Sequence, residues 1–249
     1  MGSFIHVYTD GGGIREARVP DDYMGLGSQP YSLTLPEFRR SLLASLVVGS
    51  TAVRSSNIVT VTATAHGVPT GSTYLGFRFF YPGSPSLAAG WYDSITDVQA
   101  NTISFNAPGA NFSSESVNAA AAYTTETAVW SGTLPANTLT RGSELLHRAL
   151  KSSTNSVNNH FLKCKIGAGN IFHLANPTNV SANAWSVGYV TFIDTTKAAM
   201  VSGSMASGNY SMNITTIDSG VDQPLSITLQ LSAASEFITI ISSTFEVIR

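Results

Sequence analysis

Hydrophobic and polar residues alternate most regularly near the C-terminus. Every second residue from Leu225 to Leu231 in the segment QPLSITLQL is apolar, and a period of two predicts a β-strand with one buried face. After the short break SAAS, the β-branched and aromatic run FITIISSTFEVI predicts a further strand. The chain is therefore expected to end within a sheet.

The same kind of segment recurs throughout residues 127–249. Segments such as TAVWSGTL, HFLKCKIG and AWSVGYVTFID are rich in β-branched and aromatic residues. About eight such strands, spaced by roughly ten to fifteen residues with turn signals between them, are typical of a β sandwich. A jelly roll is one topology that fits this spacing. We therefore predict an all-β protein whose C-terminal domain, 127–249, is a jelly-roll-like β sandwich.

Residues 53–126 resemble a smaller β module in composition and pattern. Aromatic residues alternate from Phe77 to Tyr81, after a turn marked by Gly67, Pro69 and Gly71. Two further short strands surround the polar turn VQAN, and an alanine run at 119–122 bounds the module. We predict that this small β module is inserted ahead of the sandwich.

The N-terminal fifth of the chain, residues 1–52, differs in character. It holds nine of the 28 charged residues, more than its share, and its first part has glycines, prolines and no sustained period, which predicts an extended arm ordered by contacts with other proteins. In TLPEFRRSLLASLVV, apolar residues recur at helical spacing behind Pro36, so one short helix is expected there. The candidate anchoring residues of the arm are Arg15, Arg18, Tyr23 and Tyr31.

Charge is scarce along the whole chain. Charged residues make up 11% and apolar residues 43%, so Ser, Thr, Asn and Gly must supply most of the polar surface, which favours strands and turns over helices held by ion pairs. A net charge of -2 provides no field that would attract nucleic acid or an anionic membrane. We expect neither partner and no membrane insertion, and the start MGSFIHVYTDGGG lacks the features of a secretory signal.

Sequence motifs for catalysis or metal binding are not found. The five histidines lie far apart and no HExxH or CxxC spacing occurs, while Cys164 falls at an inward position of its predicted strand, as a small buried hydrophobe would. We expect no cofactor, no metal site and no enzymatic activity. A carbohydrate-active enzyme is one alternative, and it would use Asp93 and Asp97 as acid and base.

Aromatic residues around the loop PGSPSLAAG are better functional candidates. Phe79, Tyr81, Trp91 and Tyr92 flank this loop, and exposed aromatic rings serve as stacking platforms for sugars or as contacts for partner proteins. Packing in the core of the small module explains them at least as well. The sequence leaves both interpretations open.

Two segments of the C-terminal region carry a resemblance to a known class of proteins. VWSGTLPANTLTRGSELLHRALKSSTNSVNNHFLKCKIGAGNIF and TIDSGVDQPLSITLQLSAASEFITIISSTFEVI resemble the C-terminal β-sandwich module of tailed-bacteriophage virion proteins, mostly appendage and fibre-like ones. The matching parts are the LPANTL turn, the NNHFLKCKIG strand and the DQPLSITLQL strand. In the middle part, TATAHGVPTG and DVQANTISFN are similar to small β modules of phage structural proteins.

This resemblance implies a non-enzymatic structural protein of the virion, assembled in the host cytoplasm. It also implies a homotrimer, because such sandwiches generally bury one face between three chains, with the N-terminus contacting other capsid or tail proteins. A surface appendage or fibre-like role is expected first. The alternatives are a capsid decoration or cement protein that stabilises the head, and a lectin-like receptor-binding protein that recognises a host surface glycan.

Overall fold

The computed structural model describes residues 4–8, 14–18, 38–118, 124–175, 184–193, 196–204 and 209–248. Regular structure in these ranges is β apart from one 3-10 turn at Ser72–Tyr74, which confirms the prediction of an all-β protein. None of these residues form a helix long and apolar enough to cross a membrane. The strands are β1 (Phe4–Tyr8), β2 (Ile14–Arg18), β3 (Ser41–Ala44), β4 (Thr51–Ser55), β5 (Ile58–Thr62), β6 (Arg78–Tyr81), β7 (Gly90–Tyr92), β8 (Ile95–Gln99), β9 (Thr102–Asn106), β10 (Phe112–Ser116), β11 (Thr127–Leu134), β12 (Glu144–Ser153), β13 (His160–Ile166), β14 (Asn170–Ala175), β15 (Ala184–Phe192), β16 (Lys197–Ser204), β17 (Asn209–Thr216), β18 (Gln223–Leu231) and β19 (Phe237–Ile248).

A four-stranded sheet and an eight-stranded sheet form the sandwich. Their strand orders are β11-β18-β13-β14 and β17-β16-β15-β12-β19-β3-β6-β7. Side chains from both sheets share one core, which includes Leu145, Leu162, Phe172, Val190 and Ile238. The predicted β sandwich is therefore present, and the chain crosses between its sheets after β11, β12, β14, β17 and β18.

Strand β18 lies in the interior of the four-stranded sheet. It pairs antiparallel with β11 on one side and with β13 on the other. The apolar positions from Leu225 to Leu231 are buried, as their alternation predicted. Burial of each such Leu or Ile side chain is worth about 1.5–3 kcal/mol, so this strand contributes strongly to the sandwich core.

A five-stranded sheet packs on the opposite face of the eight-stranded sheet. Its order is β10-β4-β5-β9-β8, and it builds a second core with β3 and β6, in which the ring centroids of Phe79 and Phe105 are 5.3 Å apart. The predicted boundary at residue 52 falls inside β4, and β6 and β7 belong to the eight-stranded sheet. The small module and the sandwich are thus joined through a shared sheet.

The prediction of a short helix near Pro36 is wrong for the described residues of this segment, because residues 41–44 form strand β3. This strand pairs antiparallel with β19 and parallel with β6. Leu43 belongs to the first core, whereas Leu42 and Ala44 belong to the second. A strand buried on both faces is apolar at successive positions, so its pattern lost the period of two and matched helical spacing instead.

The N-terminal arm contains a small sheet of its own. Strands β1 and β2 pair antiparallel, with Phe4 opposite Arg18 and Tyr8 opposite Ile14. The sequence predicted an extended arm without sustained period, and this strand pair adds regular structure to it. Of the candidate anchoring residues, Arg15 and Arg18 lie in β2, while Tyr23 and Tyr31 lie outside the described residues.

Candidate functional site

An open groove lies where β6 and β7 of the large sheet approach β11 of the four-stranded sheet. Trp91 donates a hydrogen bond from Nε1 to the backbone carbonyl of Ala128 at 2.7 Å, and Arg78 donates to the carbonyl of Val129 at 3.5 Å. These bonds hold the two sheet edges together. We call this surface the arginine groove and define it by Arg39, Arg40, Arg78, Trp91, Asp93 and Trp130.

Two arginines contact one carboxylate in the arginine groove, and a third arginine lines the same concavity. Arg39 Nη1 lies 2.8 Å from Asp93 Oδ2, and Arg78 Nε lies 3.3 Å from Asp93 Oδ1. The Arg40 guanidinium lies over the Phe77 ring, 5.0 Å from its centroid. Because one carboxylate balances only one of three positive charges, these four groups keep a net charge of about +2.

Arg78 is held more firmly than Arg39. Its guanidinium lies over the Trp91 ring, 5.5 Å from the centroid, and its side chain is 26% exposed against 60% for Arg39. Arg78 Nε is buried without a hydrogen bond from the described residues, so its approach to Asp93 is an ion pair without hydrogen-bond geometry. Arg39 can therefore change rotamer to meet a ligand, whereas Arg78 provides a fixed charge.

Two adjoining concavities, of about 360 and 430 Å³, make up the arginine groove. Both are lined by Arg39 and Arg78 and both are open to solvent. Their walls combine guanidinium groups, backbone of β11 and the residues Ser94 and Ser131. This mixture of donors and acceptors suits a polar ligand better than an apolar one.

The four aromatic residues predicted as contacts have separate environments. Phe79 and Tyr81 are fully buried in the second core, so they cannot contact a ligand; they face inward because β6 covers the five-stranded sheet. Tyr92 is partly exposed but packs on Tyr81 and donates its hydroxyl to the carbonyl of Ala88. Trp91, on the other face of β7, is the one of the four that lines the groove.

Sequence reasoning missed the charged part of the site. Arg39 and Arg40 form an adjacent pair in a chain with few charges, and that pair was the available signal. Trp130 was also missed, because it sits in β11 and is largely buried, stacked on Phe245 with ring centroids 5.0 Å apart. These residues meet Arg78 and Asp93 only through the sheet topology.

Asp93 and Asp97, the acid and base of the enzymatic alternative, have different partners. Asp93 lies between two arginines, whereas Asp97 in β8 accepts a hydrogen bond from Gln99 Nε2 at 2.8 Å. A carboxylate that contacts two guanidinium groups is already engaged as their ion-pair partner. The surroundings of the two aspartates therefore give no support to paired acid and base roles.

Two histidines that are distant in sequence meet inside the sandwich core. His147 Nδ1 and His173 Nδ1 are 2.6 Å apart, and His147 Nε2 lies 2.8 Å from Ser243 Oγ. Burial lowers the pKa of both rings, to about 3 for His173, so both are neutral at pH 7. Burial also lowers the pKa of the nearby Lys151 to about 8. Because core residues enclose this cluster, we assign it to stability.

A second buried pair joins three elements near one end of the sandwich. His160 Nε2 lies 2.6 Å from Glu236 Oε2, and Asn158 donates to the other carboxylate oxygen at 2.7 Å. The backbone N–H of Glu236 donates to Ser45 Oγ. Burial alone would raise the pKa of Glu236, but these side-chain hydrogen bonds lower it overall, so the carboxylate stays charged and ties the start of β13 to the turn before β19.

Metal and thiol chemistry have no site among the described residues. No group of three or more His, Cys, Asp or Glu side chains in the described part of the chain is placed to hold a metal ion. Cys164 is buried and unpaired, and burial raises the pKa of its thiol. The prediction of a small buried hydrophobe at this position is confirmed.

Comparison with protein families and curated proteins identifies no relative of this chain. No protein-family model matches the chain, and no curated protein sequence matches it either.

Proposed function

We propose that this chain is a non-enzymatic structural component of a tailed-bacteriophage virion, a trimeric surface appendage or fibre-like part anchored by its N-terminal arm. The sequence resemblance of the C-terminal region motivates the proposal, and the all-β sandwich is compatible with it. The observation that carries it is the outer face of the eight-stranded sheet, which offers an apolar surface to a second copy of the chain.

The outer face of this sheet is formed by side chains of β12, β15 and β19 that point away from the first core. Residues opposite each other share this face: Leu146 with Tyr189, and Leu150 with Trp185. Trp185 is 52% exposed, which is uncommon for a tryptophan on a surface that contacts only solvent. We call this surface the trimer face; its accessible apolar residues are Leu150, Trp185, Val187, Tyr189 and Ile248, while Leu146 is buried beneath them.

Three charged side chains lie on this outer face, Glu144, Arg148 and Glu246, and two of them form an ion pair. Arg148 Nη1 and Glu246 Oε2 are 3.7 Å apart and both side chains are more than half exposed. The neighbouring positions Ser242 and Thr244 are small and uncharged. Glu144, opposite Ile248 on the same face, accepts a hydrogen bond from Thr191 Oγ1 at 3.2 Å, so each charged group of this face has a polar partner when symmetric copies pack around a common axis.

Trp185→Glu tests the trimer face. A carboxylate buried against apolar partners costs several kcal/mol, so we expect the variant to lose the trimer and to have the monomer mass of 26.3 kDa in light scattering. Val157→Glu is the control, because Val157 is 80% exposed in a loop and its substitution should leave the mass unchanged. A trimeric Trp185→Glu variant would exclude this face as the interface.

Deletion of residues 1–30 tests the anchoring role of the arm. The deletion removes β1 and β2 but leaves every strand of the three larger sheets. We expect a folded trimer that no longer joins particles, measured by mass spectrometry of purified virions. A truncated chain that is still incorporated would contradict anchoring by the arm.

Copy number separates an appendage from a capsid decoration protein. A decoration protein covers a lattice and is present in hundreds of copies, whereas an appendage at a vertex or tail is present in a few. Quantitative mass spectrometry of purified particles measures this number directly. A few trimers per particle would support an appendage, and hundreds would replace it by the decoration role.

We also propose that the arginine groove binds a saccharide, as a receptor-binding appendage would. The supporting observation is its open shape, with arginines, Trp91 and hydrogen-bonding backbone around two adjoining concavities. Binding of oligosaccharides to the purified chain, with loss on Arg39→Gln, tests this role. Absence of binding to any oligosaccharide would refute it.

A further inference from the structure

The charge of the arginine groove is unusual for this chain. Only 13 residues of 249 are basic, and three of them line the same concavity. Stability does not require this arrangement, because exposed ion pairs such as Arg39 with Asp93 contribute little to folding. Repulsion among the three cations even opposes it.

We propose that the arginine groove binds a saccharide that carries a carboxylate, such as a uronic acid or a sialic acid residue. The inference rests on the proposed saccharide-binding function and specifies its ligand class. The carboxylate is assigned to the concavity of about 430 Å³, which Arg39, Arg40 and Arg78 line together.

Guanidinium chemistry favours a carboxylate at this position. The planar fork of arginine matches the two oxygens of a carboxylate, and such charge-assisted bonds are stronger than neutral ones. Asp93 already directs one carboxylate oxygen toward Arg39 and the other toward Arg78. Arg39 uses one nitrogen, Nη1, in this contact and has further donors for a second carboxylate.

The remaining part of the ligand is assigned to the concavity of about 360 Å³. This concavity is lined by Trp91, Trp130 and the β11 residues that flank Trp130. Sugar rings combine hydroxyl groups with apolar C–H faces, so they suit a wall that places the guanidinium groups and the Ser131 hydroxyl beside indole rings. These open concavities, with polar groups beside indole rings, therefore favour the saccharide.

Asp93 determines how strongly the groove attracts an anion. It neutralises part of the positive charge and competes for Arg39. Asp93→Asn keeps the size of the side chain but removes its charge, so it should raise the affinity for an acidic saccharide severalfold. A hydrolase that used Asp93 as acid or base would instead keep binding and lose turnover.

The test measures binding of the full-length chain to three probes by calorimetry or NMR titration. The acidic probes are 3′-sialyllactose and a galacturonate trimer, and lactose is the neutral counterpart. We expect at least one acidic probe to bind about tenfold more tightly than lactose. Arg39→Gln should remove this difference, while Arg141→Gln, an exposed arginine in the turn before β12, should keep it. Added salt should weaken binding of the acidic probe only.

Two results would overturn the inference. One is equal or absent binding of both acidic probes relative to lactose. The other is the same loss in Arg39→Gln and Arg141→Gln, because the effect would then follow net charge and not the groove. Incorporation of the Arg39→Gln variant into particles is measured separately and should be normal. If saccharide binding is not found, the proposed structural role is unaffected. If incorporation fails, the binding result remains valid.

Discussion

Replacement of Lys151 by Met should make the protein more stable. Lys151 lies on β12 with 2% of its surface exposed, and its Nζ has no hydrogen-bond partner among the described residues. Burial lowers its pKa from 10.5 to about 8, so the folded protein holds an ammonium group in its core at pH 7. Met has a similar length and no charge, and therefore preserves the packing.

The magnitude follows from this lowered pKa. A fall from 10.5 to about 8 corresponds to roughly 3 kcal/mol of unfavourable free energy in the charged form. Lys151→Met should recover about 2–3 kcal/mol at pH 7. For a chain of this size, that gain raises the melting temperature by roughly 4–12 °C.

The pH dependence of this gain identifies its cause. Between pH 8 and 10.5 the unfolded chain holds more protons at Lys151 than the folded chain. The Lys151 contribution to the free energy of unfolding of the wild type therefore rises with pH in this window. Met does not titrate, and the advantage of the variant should therefore shrink from pH 7 to pH 10.5. Other titrating groups, such as the tyrosines, cancel in the difference between the two proteins.

Urea denaturation of both proteins at several pH values between 7 and 10.5 measures this difference. Lys163→Met is the control, because Lys163 is paired with Glu126 at 2.9 Å and bonded to Gln230. That variant should be less stable than the wild type by up to about 1 kcal/mol. A less stable Lys151→Met at pH 7, or an advantage that does not change with pH, would refute the reasoning.

Two further predictions concern acid stability and one tight approach of the backbone. The free energy of unfolding should fall as pH decreases from about 6.5 towards 3, because His147 and His173 accept protons in the unfolded chain but not when they are buried. In urea denaturation between pH 5 and 6.5, His173→Phe should reduce the slope of the free energy of unfolding against pH. An unchanged slope would contradict the assignment. Gly67→Ala should destabilise more than Gly76→Ala, although both glycines have a φ of 77°, because a Cβ at Gly67 would collide with the Ser235 carbonyl while Gly76 has open space. Thermal melts should show a loss of roughly 1 kcal/mol for Gly76→Ala and a clearly larger loss for Gly67→Ala, and equal losses would exclude the collision as the cause.

The sandwich was predictable because its strands have one buried face. In β18 and β13 the inward residues are apolar except Gln223 and His160 at the strand starts, their neighbours are more polar, and this period survives in the sequence. Strand β3 has no such period, since Leu42 and Leu43 face two different cores. The prediction of a helix at this position was wrong for that reason.

The candidate site was only partly predictable. Trp91 was found because aromatic residues cluster around one loop, but the same signal also selected Phe79 and Tyr81, which are buried. Local sequence cannot distinguish the two faces of a short strand when both are apolar. Arg39 and Asp93 are 54 positions apart. Arg39 precedes β3 and Asp93 follows β7, and the two residues come close because β6 pairs with both of these strands.

The solution mass of the full-length chain, measured by light scattering, tests the central claim most directly. A trimeric virion appendage requires three chains of 26.3 kDa, or about 79 kDa, across a range of protein concentrations. We predict this mass for the wild type. A monomer of 26.3 kDa at every concentration would contradict the proposal of a trimeric appendage.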